Sequence, residues 1–130
     1  ALDQGVRVIA SPASKAYLDM KYDDSTALGQ NWAGNIDVVT GYEWEPSIVV
    51  EGAKEQDLAG VEAPLWTETL ESFDDIEFLA FPRLLGIAEI GWSPRANRAW
   101  DEYSGRLASH GARLDQLGVN FYRAPQVPWK

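Results

Sequence analysis

Gly60-Val61-Glu62-Ala63-Pro64-Leu65-Trp66-Thr67-Glu68 opens as a short apolar run and closes with an indole and a carboxylate two residues apart. With Leu58 and Ala59 before it, the run predicts a buried strand over 58–65. On a strand, residues i and i+2 point to the same side. Trp66 and Glu68 are therefore expected to project together from its C-terminal end. A second pair with this spacing lies upstream, Tyr17 and Asp19 in Ala16-Tyr17-Leu18-Asp19-Met20-Lys21-Tyr22. An aromatic plane beside a carboxylate suits a sugar: the plane stacks on the C–H face of a pyranose, and the carboxylate accepts hydrogen bonds from hydroxyls.

Working outward, Val6-Arg7-Val8-Ile9-Ala10 reads as another buried strand, closed by Ser11-Pro12. Residues 13–34 form a polar stretch that still carries Tyr17, Tyr22 and Trp32, and a long loop of this kind in a compact fold is usually functional. Residues 36–44 fit a short helix entering a turn at Gly41–Pro46. Ser72-Phe73-Asp74-Asp75 resembles a capping box, and Ile76, Leu79, Leu84, Ile87 and Ile90 suit a buried helix that Pro82 divides or kinks. A last helix is expected over 97–117, its apolar face made of Trp100, Tyr103, Leu107, His110, Leu114 and Leu117, with Gly118 as its C′ glycine. The tail 119–130 carries Pro125 and Pro128 and reads as extended, with Trp129 pinning it to the body of the fold.

Composition removes several functions. A net charge of −9 opposes nucleic acid and anionic membrane surfaces, both of which need clustered Lys and Arg. With no Cys there is no disulfide, thiolate nucleophile or Cys-based zinc site, though this does not fix the compartment. With His110 alone, neither a His-based metal cluster nor a Ser-His-Asp triad can be built within these 130 residues. No apolar run is long enough to span a bilayer, and no signal peptide is visible. Ala1-Leu2-Asp3-Gln4-Gly5 lacks an initiator Met and reads as the end of something already folded, so the gene product is expected to begin upstream.

Strands alternating with helices indicate parallel βα units, in which ligand-contacting residues follow the C-terminal ends of strands. Tyr17/Asp19 and Trp66/Glu68 both fall there. Two strands do not make a sheet with buried faces, and a parallel barrel needs eight. The expected fold class is α/β. Residues 1–130 are read as the C-terminal portion of a (β/α)8 TIM barrel, about the last two βα units plus a terminal helix, and not as a complete domain.

Tyr17-Leu18-Asp19, Asn31-Trp32-Ala33-Gly34, the 60–68 block, and Phe81-Pro82-Arg83-Leu84 through Ala88-Glu89-Ile90-Gly91-Trp92-Ser93 together resemble the C-terminal part of the β-N-acetylhexosaminidases of glycoside hydrolase family 20. The Val-Glu-Ala-Pro-Leu-Trp-Thr-Glu block is the specific part. The resemblance implies a retaining hydrolase that removes terminal β-linked N-acetylglucosamine or N-acetylgalactosamine with substrate assistance. It implies no metal or organic cofactor, and as partners an N-acetylhexosamine-containing glycan and the remaining part of the same barrel. It casts Tyr17 as the catalytic hydroxyl donor to the acetamido oxygen. Asp19 and Glu68 would bind sugar hydroxyls, Trp66 would wall the acetamido pocket, and Trp32 would line the sugar subsite. The family's catalytic Asp-Glu pair belongs to an earlier strand and is expected to lie outside this chain. Asp101-Glu102 sits at the start of the last predicted helix and Glu62 inside a strand, so neither replaces it.

Other readings stand beside this one. A non-catalytic sugar-binding module would use Trp32 and Trp66 as stacking platforms, and a structural fragment would bury all its aromatics. Trp92, Trp100 and Tyr103 are expected in the core, His110 as a packed side chain, Asp23-Asp24 as a solvated turn, and Arg83 in an ion pair with Glu89 or with a group outside the chain.

Overall fold

The computed structural model describes residues 2–130. Its sheet has two parallel strands, β1 (Val8–Ala10) and β2 (Leu58–Val61), with Ile9 opposite Gly60 and Ala10 opposite Val61. Between them the chain forms three short helices, α1 (Ala13–Ala16), α2 (Val38–Tyr42) and α3 (Pro46–Val49). After β2 come α4 (Phe73–Ala80), α5 (Arg83–Trp92) and α6 (Trp100–Gln116).

Both strands are shorter than the apolar runs that announced them. The ladder extends only to Glu62, whose N–H donates to Ala10 O at 3.0 Å. Beyond this point the partner strand has turned away at Ser11-Pro12, and Pro64 has no N–H to offer. Residues 62–67 are therefore irregular, and Trp66 and Glu68 stand past the strand, with Glu68 in a turn. The expected strand-end alternation does not place them. The polar stretch 13–34 is not wholly loop either, since α1 occupies its start.

The helices follow local chemistry more closely. Ser72 Oγ accepts from Asp75 N–H and the Asp75 carboxylate accepts from Ser72 N–H, a closed capping box at the start of α4. Pro82 separates α4 from α5. On α5, Arg83, Gly86, Ile87 and Ile90 are buried, which is one helical face. Trp92 lies off that face and is 91% exposed, so its expected place in the core is corrected. On α6, Tyr103, Leu107 and Leu114 are buried, Trp100 and His110 half-buried, and Leu117 exposed. The helix starts at Trp100 and not Asn97, because Arg95–Asn97 forms a separate 3-10 turn. Gly118 ends it at φ 72°, the left-handed conformation a C′ residue needs.

Two hydrophobic clusters hold these parts together. Ala10, Ala16, Trp44, Ile87 and Ile90 pack beneath the strands. Tyr22, Val38, Tyr42, Leu79, Tyr103 and Leu107 join α2, α4 and α6. In the second cluster Tyr42 stacks on Tyr103 at 4.1 Å, and Tyr22 stacks on Tyr122 of the tail at 4.0 Å. Tyr122 also donates its hydroxyl to Asp23 at 2.7 Å. The Ser25 hydroxyl, and next that of Tyr122, hold the Asp23 carboxyl down at about 2. Trp129 packs on Phe121 at 5.1 Å and fastens the end of the tail.

Each strand is paired on one side only, and Val6 and Ile9 are 51% and 58% exposed. Open strand edges beside exposed apolar side chains template association. The 130-residue chain alone is expected to oligomerise, aggregate or remain partly molten, measured by sedimentation velocity across a concentration series. A monomer at every concentration with a sharp thermal transition would contradict this.

Candidate functional site

The segments around Tyr17–Asp19 and Trp66–Glu68 meet. Leu18 N–H donates to Pro64 O at 2.7 Å, which ties the two stretches together next to the strand ends. Across this link the Tyr17 ring lies 6.2 Å from that of Trp66, tilted by 53°. On its other side Trp32 meets it edge-on, 6.0 Å away at 83°. Tyr17 is thus the middle of three aromatic side chains from three separate loops. These centroid distances suit edge-to-face aromatic packing, which holds rings at fixed angles.

The outer rings of this group are open to water. Trp32 is 66% exposed and Trp66 52% exposed. The two exposed indoles flank Tyr17 and form an apolar patch with it. Their faces supply apolar stacking area, and their N–H groups supply donors.

Asp19 contrasts with them. It is 2% exposed, and its Oδ1 has no hydrogen-bond partner among the described residues. Burial raises its pKa above the ordinary carboxylate value, and the nearby Glu68 carboxylate pushes the same way. The backbone N–H groups of Asp19 and Trp66 and the charge of Arg83 pull in the opposite direction. Glu68 itself is exposed. A buried carboxylate oxygen without a partner is costly unless something outside the fold bonds to it.

All five residues singled out in the sequence, Tyr17, Asp19, Trp32, Trp66 and Glu68, therefore fall in one region. The i, i+2 spacing was a poor guide to the reason. Loop geometry and the Leu18–Pro64 link bring them together, not a shared strand face. A cavity of about 550 Å³ lies elsewhere, lined by Glu45, Ile48, Leu58, Ile90, Arg95 and Arg98, and includes none of the five. The other acidic pairs have local uses. Glu102 bonds Arg106 one turn along α6 at 2.7 Å, Asp24 accepts from Asn35 at 2.6 Å, and no metal-binding group of His and carboxylates occurs among the described residues.

Arg83 is the residue whose importance sequence reasoning missed. The ion pair expected with Glu89 does not form, because Glu89 pairs with Arg106. Arg83 is 1% exposed, and all four of its hydrogen bonds go to backbone carbonyls, those of Leu18, Met20, Ile36 and Leu79. The Phe81-Pro82-Arg83 run marks the residue, but nothing local in it reveals those partners.

Known proteins share the sequence and fold of this chain. Residues 1–95 match the family described as "Glycosyl hydrolase family 20, catalytic domain". A β-N-acetylhexosaminidase of Cellulomonas fimi is 43% identical over 129 residues, covering 99% of this chain and 26% of its own length. The solved structure of a family 20 β-N-acetylhexosaminidase from Streptomyces coelicolor superposes with a TM-score of 0.95 at 48% identity, over 98% of this chain and 26% of that one. A mutant Streptomyces plicatus β-hexosaminidase in complex with its product, GlcNAc, gives the same TM-score, identity and coverage, 0.95, 48%, 98% and 26%. The chain spans about a quarter of the length of the relatives it matches. By the extent of the family match and the agreement in fold, this chain belongs to glycosyl hydrolase family 20.

Proposed function

We propose that residues 1–130 are the C-terminal part of a catalytic (β/α)8 barrel in a retaining, substrate-assisted β-N-acetylhexosaminidase. The observation that carries this reading is the Tyr17–Trp32–Trp66 group, whose Tyr17 is two residues along the chain from a buried Asp19 whose Oδ1 has no partner among the described residues. Terminal β-linked N-acetylglucosamine or N-acetylgalactosamine is the substrate. Its own acetamido oxygen attacks the anomeric carbon and forms an oxazolinium, while a Glu protonates the leaving oxygen and the preceding Asp orients the acetamido group. That acid and its Asp neighbour come from an earlier strand of the barrel.

The residues of this chain bind and orient. The Tyr17 hydroxyl donates to the acetamido oxygen and steadies it in line with the anomeric carbon. Trp66 forms a wall of the acetamido pocket, and Trp32 lines the sugar subsite. Asp19 and Glu68 accept hydrogen bonds from ring hydroxyls at the far side of the sugar. In such a site positioning lowers the barrier, because a held nucleophile reacts as an intramolecular group. The alternative of a binding module built on Trp32 and Trp66 has no observation in its particular favour.

The test compares the full-length protein with the 130-residue chain on an aryl N-acetyl-β-glucosaminide. The full-length protein is expected to release the aryl group and the chain to release none, since the chain lacks the acid. Turnover by chain rigorously freed of full-length protein would sink the assignment of the acid to another segment. A full-length protein without this activity would sink the hexosaminidase reading.

A further inference from the structure

Asp19 must be placed by its backbone. Its Oδ1 has no hydrogen-bond partner among the described residues, and the N–H groups that reach the carboxylate are backbone ones, those of Asp19 and Trp66, so no side chain of these residues fixes it. Both carbonyls flanking it face one cation. Arg83 Nη2 donates to Leu18 O at 2.5 Å, and Arg83 Nη1 donates to Met20 O at 2.7 Å. The same guanidinium bonds Ile36 O at 2.9 Å and Leu79 O at 2.8 Å, so three separate segments define where it sits. The Tyr22 ring supports it from 3.8 Å, and the single Tyr22 hydroxyl proton has the carbonyls of Phe78, Leu79 and Phe81 as acceptors within reach, at 3.0, 3.1 and 2.9 Å. A guanidinium carries its donors in a rigid fork, which an ammonium does not.

The opposite edge of the same backbone is held as tightly. Asp19 O accepts from Gln30 N–H at 2.7 Å, and Lys21 N–H donates to Gln30 O at 2.7 Å. This close approach depends on Gly29, which has φ +103°. A Cβ there would stand 2.9 Å from Asp19 O and 3.1 Å from Lys21 N, both backbone atoms that cannot swing aside.

We propose that Arg83 and Gly29 are positioning residues for the Asp19 carboxylate: they clamp the 18–21 backbone from its two edges and so set where that carboxylate meets a sugar hydroxyl. This rests on the reading of Asp19 as a sugar-binding residue. Arg83 works through the carbonyls of Leu18 and Met20, and Gly29 works by leaving room for the 29–30 backbone.

The experiment uses the full-length protein and an aryl N-acetyl-β-glucosaminide, with Arg83→Lys, Gly29→Ala, Asp19→Asn and the two double variants that include Asp19→Asn. Arg83→Lys keeps the charge but loses the fork, and Gly29→Ala displaces the Asp19 peptide. Each is expected to lower kcat/KM about 10- to 100-fold, as small displacements of positioned groups do. In the Asp19→Asn background the same changes are expected to cost less than about 3-fold, because residues acting through one group are not additive. Tyr22→Phe is the control. It cuts the anchor to the α4 end without touching the 18–21 carbonyls, and is expected to lower Tm while kcat/KM stays within about 3-fold of wild type. Full additivity with Asp19→Asn, or unchanged kcat/KM in Gly29→Ala, overturns the positioning role. If Arg83→Lys does not accumulate as folded protein, the Gly29→Ala cycle decides by the same criteria. Unchanged kcat/KM in Asp19→Asn alone instead overturns the sugar-binding reading of Asp19, and the inference falls with it.

Discussion

A full-length protein carrying Tyr17→Phe is expected to lose roughly 30- to 900-fold in kcat, equivalent to about 2–4 kcal/mol, with little change in KM. The substitution removes one hydroxyl and keeps the ring. Contacts to Trp32 at 6.0 Å and Trp66 at 6.2 Å are ring contacts, so the aromatic group survives. On the proposed role, what goes is the donor to the attacking acetamido oxygen, and that interaction matters most when the oxygen closes on the anomeric carbon. A loss confined to the transition state appears in kcat. Two companion variants give the contrast. If Glu68 binds a sugar hydroxyl as proposed, Glu68→Gln weakens a contact present in ground and transition states alike, and KM is expected to rise as kcat/KM falls. Trp66→Ala removes the side chain proposed as the acetamido wall and is expected to harm both parameters. Steady-state kinetics on one aryl substrate separate the three, and an unchanged kcat in Tyr17→Phe would reduce Tyr17 to loop scaffolding.

The difference between these residues and Arg83 shows what a sequence displays and what it conceals. Ser72 and Asp75 could be read as a cap because both halves of the reciprocal bond lie within one helical turn. Gly118 was readable for the same reason, as the residue that ends an apolar helical face. The strand lengths were not readable. An apolar run fixes what is buried, but the length of a ladder is set by its partner, and β1 stops at Ala10. Trp92 shows the same limit on a helix: it is a large apolar residue, but off the face that Arg83, Gly86, Ile87 and Ile90 define. The five candidate site residues emerged from the sequence through residue type and family resemblance. Alternation along a strand does not account for their placement, since Trp66 and Glu68 lie beyond β2. Arg83 stayed hidden because its partners Leu18, Met20 and Ile36 are distant in sequence and contribute only backbone oxygens, whose pairing leaves no mark on residue type.

That concealed role predicts the second large effect. Arg83→Met in the full-length protein is expected to cost about 3–5 kcal/mol of stability. Methionine fills much of the space but donates nothing. Leu79 O still has the Tyr22 hydroxyl within reach at 3.1 Å, shared with two other carbonyls, whereas Leu18 O, Met20 O and Ile36 O lose the donor that Arg83 gave them. Each carbonyl orphaned in the interior costs on the order of 1–3 kcal/mol. Relief from burying a cation offsets part of the sum, since burial already disfavours the charged form of Arg83. Removal of the guanidinium from the Tyr22 face adds to the loss. Against a total stability of about 5–15 kcal/mol for a typical domain, this is a large fraction. Guanidinium chloride unfolding followed by Trp fluorescence measures it, with Arg83→Lys as the intermediate case because an ammonium still reaches some of the carbonyls. Equal midpoints and slopes for wild type and Arg83→Met would mean that the three carbonyls find other donors, and that the 18–36 region does not depend on Arg83 for its fold.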